Sequence, residues 1–148
     1  MADITKGFGQ PLPVVFDNAF VEHNLDGTHK GAMLYVPRRV AAFDFTAVNF
    51  TTDGTWKVDG LNLSAIVPAG ATAVHLRIFV SDDAAASAFA IRTNATDVIN
   101  QSYTMVRVAN LVEEQHAILA LDANRLLDYQ GSNLAFTNID VAVLGWWI

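Results

Sequence analysis

A chain of 148 residues suits one domain, with roughly two-thirds of its unfolded surface buried on folding. Cysteine is absent, which excludes disulfides and thiolate metal sites; a formal charge of −6 with scattered basic residues argues against nucleic acid, whose binding needs clustered Lys and Arg. Only 16% of residues are charged and 52% are apolar, against about 25% charged in an average domain, so part of the surface is expected to face a partner.

Residues 1–32 carry little sustained periodicity and read as an N-terminal arm or attachment segment. "MADITKGFGQ" lacks the apolar core of a secretory signal, and no run approaches the roughly 20 apolar residues of a bilayer span. The expectation is a soluble, cytoplasmically made protein with no membrane partner. Within the arm, "HNLDGTHKG" places His23 and His29 on either side of Asp26-Gly27. A tight turn there brings two imidazoles and a carboxylate near one another, so His23, Asp26 and His29 are weak candidates for a divalent metal. The spacing matches no established ligand pattern and lacks a fourth ligand, and the plainer reading is that His23 and His29 face a neighbouring subunit.

From residue 33 to 148, short β-type runs recur between turn-forming clusters, the pattern of an antiparallel sandwich or barrel. The expected strands are "AMLYVP", "RVAAFDFTAVNF", "GTWKVDG", "ATAVHLRIFVS", "SAFAIRTN", "VINQSYTMVRVA", "EEQHAILALDA", "RLLDYQGS" and "IDVAVLGWWI". In the second, Phe43 and Phe45 are out of phase with Val48 and Phe50, and a β-bulge at Thr46 or Ala47 would turn both pairs inward. In the fourth, alternation puts Val74, Leu76, Ile78 and Val80 on the core face and Ala73, His75, Arg77 and Phe79 on the other. "SDDAAASAF" and "ANLVEEQHAIL" could each form a turn or two of helix, but β-branched and aromatic residues dominate the neighbouring runs. In the last, Ile139, Val141 and Val143 share one face, and Ala142, Leu144 and Trp146 the opposite one. Of the adjacent Trp146 and Trp147, one must point in and one out; the outward one needs cover from the chain's own N-terminal arm or from a neighbouring subunit or particle protein, and the low charge fraction fits the second. Eight or nine such strands suit an all-β, antiparallel, jelly-roll-like β-sandwich.

"WKVDGLNLSAIVPAGATAVHLRIFV", residues 56–80, resembles jelly-roll modules of bacteriophage virion proteins: a tryptophan strand, an "LxLSxxVPAGA" connection and a long apolar strand. In physical terms, Leu61 and Leu63 plug an open end of the sandwich, Ser64 caps a short turn, Pro68 ends it and Gly70 reverses the chain. "DNAFVEHNLDGTHKGAM" is similar to segments of phage tail fibres and other virion proteins. The resemblance implies a non-enzymatic protein on the virion surface, a head-decoration or cement protein or a compact fibre. It would assemble as a homotrimer and contact other virion proteins.

No residue set forms a reaction motif: "GxSxG" and P-loop patterns are absent. The pairs Asp82 and Asp83, and Glu113 and Glu114, read as solvated turn residues rather than a sugar-hydrolysing pair. No cofactor is expected. The alternative function is recognition of a host surface glycan by a tail-fibre module, with Trp56, Tyr103 and Tyr129 beside polar loop residues as aromatic platforms. Against it stands the usual fate of such rings, which is to fill the core with the polar tip at its edge.

Overall fold

The computed structural model describes residues 33–94 and 102–148. Residues 35–148 form one unit, whose described residues make eight strands: β1 (Tyr35–Pro37), β2 (Lys57–Asn62), β3 (Ala73–Ser81), β4 (Ala88–Thr93), β5 (Ser102–Met105), β6 (Glu113–Ala120), β7 (Leu126–Gly131) and β8 (Asn138–Trp147). They make two four-stranded sheets, β1-β8-β3-β6 and β2-β7-β4-β5. The antiparallel pairs β1 with β8, β2 with β7, β3 with β6 and β4 with β5 are nested. The chain is thus one long hairpin folded over into two layers, a jelly roll. The expected all-β antiparallel sandwich is the observed fold.

The core follows from alternation. Val74, Leu76, Ile78 and Val80 of β3 are wholly buried, beside Ile139, Val141 and Val143 of β8. The second sheet contributes Phe89, Ile91, Leu127 and Tyr129. Phe50 meets the rings of Phe89 and Tyr129 edge-on at 5.0 Å each, a geometry worth about 0.5–1.5 kcal/mol per pair beyond area burial. Leu61 and Leu63 are buried as expected, and Gly70 takes φ +88°. The turn between β2 and β3 is capped by Asn62, not Ser64: Ser64 N–H donates to Asn62 Oδ1 at 2.9 Å.

Two local expectations are corrected, and one choice between alternatives is decided. "RVAAFDFTAVNF" is not a strand. Phe45 bridges to Val141 and a 3-10 turn follows at Ala47–Asn49, with Thr46 N–H donating to Asn49 Oδ1 at 2.8 Å. That turn, rather than a bulge, brings Phe45 and Phe50 to the core while Val48 is left 92% exposed; Phe43 stays outside, edge-on to Phe79 at 5.2 Å. Of the two readings open for the helix-former tracts the strand holds: "EEQHAILA" is β6, and "SDDAAASAF" is a turn leading into β4, neither being helical. Finally, the register between β3 and β8 shifts between His75 and Leu76, leaving Leu144 as an extra residue. Beyond that bulge the faces of β8 exchange, so Trp146 packs inward opposite Val74, not on the face of Ala142.

Candidate functional site

His23, Asp26 and His29 lie outside the described residues. The aromatic candidates separate. Tyr129 is 4% exposed and belongs to the core, its Oη accepting from Thr51 N–H at 2.9 Å, so it offers no platform. Trp56 immediately precedes the edge strand β2, whereas Tyr103 belongs to β5, the opposite edge strand of the second sheet. Tyr103 is half exposed. Trp56 is clamped: the Arg92 guanidinium sits 4.1 Å from the ring centroid, and Arg92 Nε donates to Asp128 Oδ2 at 3.1 Å. Asp128 is fully buried, and its Oδ1 accepts from Asp59 N–H at 3.1 Å, where the strand kinks through φ 56°.

Trp147 points outward, as one of the two tryptophans had to, and anchors a polar cluster on the outer face of β1-β8-β3-β6. Its ring lies 4.7 Å from Tyr35 and 6.4 Å from His75. The backbone permits this because Gly145 stands between: a Cβ there would meet Tyr35 Oη at 2.5 Å. Tyr35 Oη is 3.3 Å from His75 Nδ1 and donates to Leu144 O at 3.3 Å. His75 Nε2 is 3.0 Å from His116 Nδ1 on β6, and His116 Nε2 is 3.2 Å from Glu114 Oε1. Arg77 Nε donates to that same oxygen at 2.6 Å. Burial and then the neighbouring His116 hold His75 below the usual imidazole value, while Arg77 above all keeps Glu114 ionised below its ordinary range. Sequence reading missed this cluster. His75 was visible as an odd polar residue on a strand, but its partner is 41 residues away and reached only through the β3–β6 register that pairs Arg77 with His116.

Beside the cluster, a cleft of about 360 Å³ is lined by Arg38, Phe43, Arg77, Ala142 and Leu144 among others. Arg38 spans its wall, donating to both carboxylate oxygens of Asp44 at 2.6 and 2.7 Å.

A different surface lies at one end, where the nested topology collects the β1–β2, β3–β4, β5–β6 and β7–β8 connections. Asp82 ties three of them together, β3–β4, β5–β6 and β7–β8. Its backbone O accepts from Asn110 N–H at 2.7 Å, its Oδ2 from Asn133 Nδ2 at 2.7 Å and its Oδ1 from Asp83 N–H at 2.9 Å. Asp82 is 1% exposed, which corrects its reading as a solvated turn residue. Burial alone would raise its carboxyl, but hydrogen bonds from Ser87, Asn133 and Asp83 carry it below the ordinary value. Glu113 and Glu114 are likewise not in a turn but open β6. The four connections expose apolar side chains: Val48 at 92%, Leu134 at 78%, and Val108, Leu111 and Val112 at over half.

Among the described residues no group of three or more His, Cys, Asp or Glu is placed to hold a metal ion, and no helix is long and apolar enough to cross a membrane. No family model matches the chain, and neither a curated protein nor a solved structure matches it.

Proposed function

We propose that the chain is a non-enzymatic structural protein of a bacteriophage virion, displayed on the particle surface as a head-decoration or cement protein or a compact fibre. Residues 1–32 attach it and contacts between copies, in a trimer, hold it. The observation that carries this reading is the apolar end. Val48, Val108, Leu111, Val112 and Leu134 stand exposed on connections at one end of the sandwich, three of which Asp82 binds together, and exposed apolar side chains collected on one end suit a protein partner. The virion-like stretch, residues 56–80, supports it as well: its tryptophan immediately precedes β2, and its connection and apolar strand are a capped turn and β3 of a jelly roll. Stable assembly of this kind buries about 1,200–2,000 Å² in total.

The test is mass in solution together with binding to particles assembled without the protein. Oligomers that bind through residues 1–32 are the expected result. A strict monomer, still attached to particles after deletion of those residues, contradicts it.

Glycan recognition has one observation in its favour: Tyr103 is half exposed, with Trp56 fixed by Arg92 and Asp128. On a glycan array, binding abolished by Tyr103→Ala in a chain that still folds would favour this second reading.

A further inference from the structure

From the histidine cluster we infer a binding site for one divalent transition-metal ion, copper(II) by preference, with His75 Nε2 and His116 Nδ1 as its protein ligands. The starting point is the 3.0 Å between these two nitrogens. One hydrogen must lie between them, and two arrangements are open; the neutral one leaves Leu144 O without the Tyr35 donor, and only the protonated one satisfies every contact. With both rings neutral, Tyr35 O–H donates to His75 Nδ1, His75 Nε2–H to His116 Nδ1, and His116 Nε2–H to Glu114. With one added proton every direction between Tyr35 and His116 reverses and no bond is lost: His75 Nδ1–H donates to Tyr35, and Tyr35 donates to Leu144 O, whose distances the structure already has. In that second arrangement the outer N–H of each ring is taken, by Tyr35 on one side and Glu114 on the other. The two inner lone pairs share a single positive centre.

A metal ion can replace that shared proton. Metal-bound histidines characteristically donate their other N–H to a carboxylate, carbonyl or similar acceptor, which fixes the tautomer and strengthens the ligand. Here those outer partners are already in place. If the 3.0 Å separation is kept as the rings turn, nitrogens at the usual ~2.0–2.1 Å from one ion subtend about 95°. That is the cis angle of a tetragonal site rather than a tetrahedral one, and tetragonal nitrogen and oxygen coordination suits Cu(II) or Ni(II), with Cu(II) bound more tightly. The rings must turn so that both lone pairs meet at one point on the solvent side, where His116, 49% exposed, has room; water fills the remaining positions. Arg77 does not oppose the cation, because Glu114 neutralises it at 2.6 Å.

The experiment adds copper(II) alone, in a non-chelating buffer, to the full chain and follows the imidazole signals of all four histidines by NMR, with calorimetry for affinity. The expected result is about one ion per chain and paramagnetic broadening of His75 and His116 at the lowest metal ratio. His116→Asn, on the exposed strand face, should weaken binding by more than about tenfold, and Glu114→Gln by about tenfold, the effect of losing an outer-shell partner. Two results overturn the site: broadening of His23 and His29 first, or affinity unchanged in a folded His116→Asn chain.

Discussion

At the scale of single residues, three positions decide more than their size suggests. Asp82 is a buried carboxylate whose hydrogen bonds hold it below the ordinary value. The folded chain therefore binds this proton less tightly than the unfolded chain, so the ionised group stabilises the fold. That contribution is complete above the ordinary carboxylate range, near 3.8, and is lost as pH falls through the lower, folded value. Asp82→Ala should cost about 1–3 kcal/mol at neutral pH, because Asn133 and Asp83 N–H lose their acceptor. It should also flatten the stability curve below pH ~4 in urea unfolding. Gly145 is the second position: a methyl group there runs into Tyr35 Oη and also into Val36 O at 2.6 Å, which is backbone and cannot swing away. Gly145→Ala is expected to destabilise by about 1–3 kcal/mol and to separate Tyr35 from His75, visible as altered Tyr35 and His75 signals in NMR. Arg92 is the third. Arg92→Leu strands the buried Asp128 carboxylate and should cost about 3–5 kcal/mol, whereas the double change with Asp128→Leu should recover much of it; a double variant no more stable than the single would refute this account of the clamp.

At the scale of elements, β3 was the most legible part of the chain because its period-2 pattern is uninterrupted, and all four of its expected core residues are fully buried. The core plug at Leu63 was readable for a similar reason. Leu63→Ala should cost about 2–5 kcal/mol by chemical denaturation, the range for emptying a well-packed leucine site. What alternation cannot reveal is where it breaks. One extra residue at Leu144 exchanges the faces of β8, so the direction of Trp146 and Trp147 depends on a register shift against β3. The 3-10 turn at Ala47–Asn49 likewise brings in Phe45 and Phe50 by leaving the strand pattern altogether. Tyr129 looked like a loop-side platform beside "QGSN", yet β7 points it between the sheets, and Phe50, distant in sequence, closes over it. The histidine cluster was illegible because it is a product of pairing: no local spacing relates His75 to His116 or Tyr35.

At the scale of the whole molecule, the low charge content has a structural counterpart. The apolar residues in excess are not all in the core, since five of them stand exposed around the connections at one end. Substitutions there should separate folding from assembly. Val108→Asp with Leu111→Asp touches side chains more than half exposed, so each is expected to change stability by no more than about 0.5 kcal/mol. A larger drop in melting temperature would show that these residues pack within the fold. Under the proposed function, the same pair of changes removes the contact surface and leaves the jelly roll intact.

Sedimentation of the full chain with phage particles assembled without it, alongside the Val108→Asp, Leu111→Asp chain, tests the display role most directly. The account predicts that the unaltered chain pellets with the particles up to a saturating amount, while the doubly substituted chain, which keeps residues 1–32 but loses the contacts between copies that hold it, pellets far less although folded. An unaltered chain that remains in the supernatant, or a substituted one that pellets equally well, would contradict it.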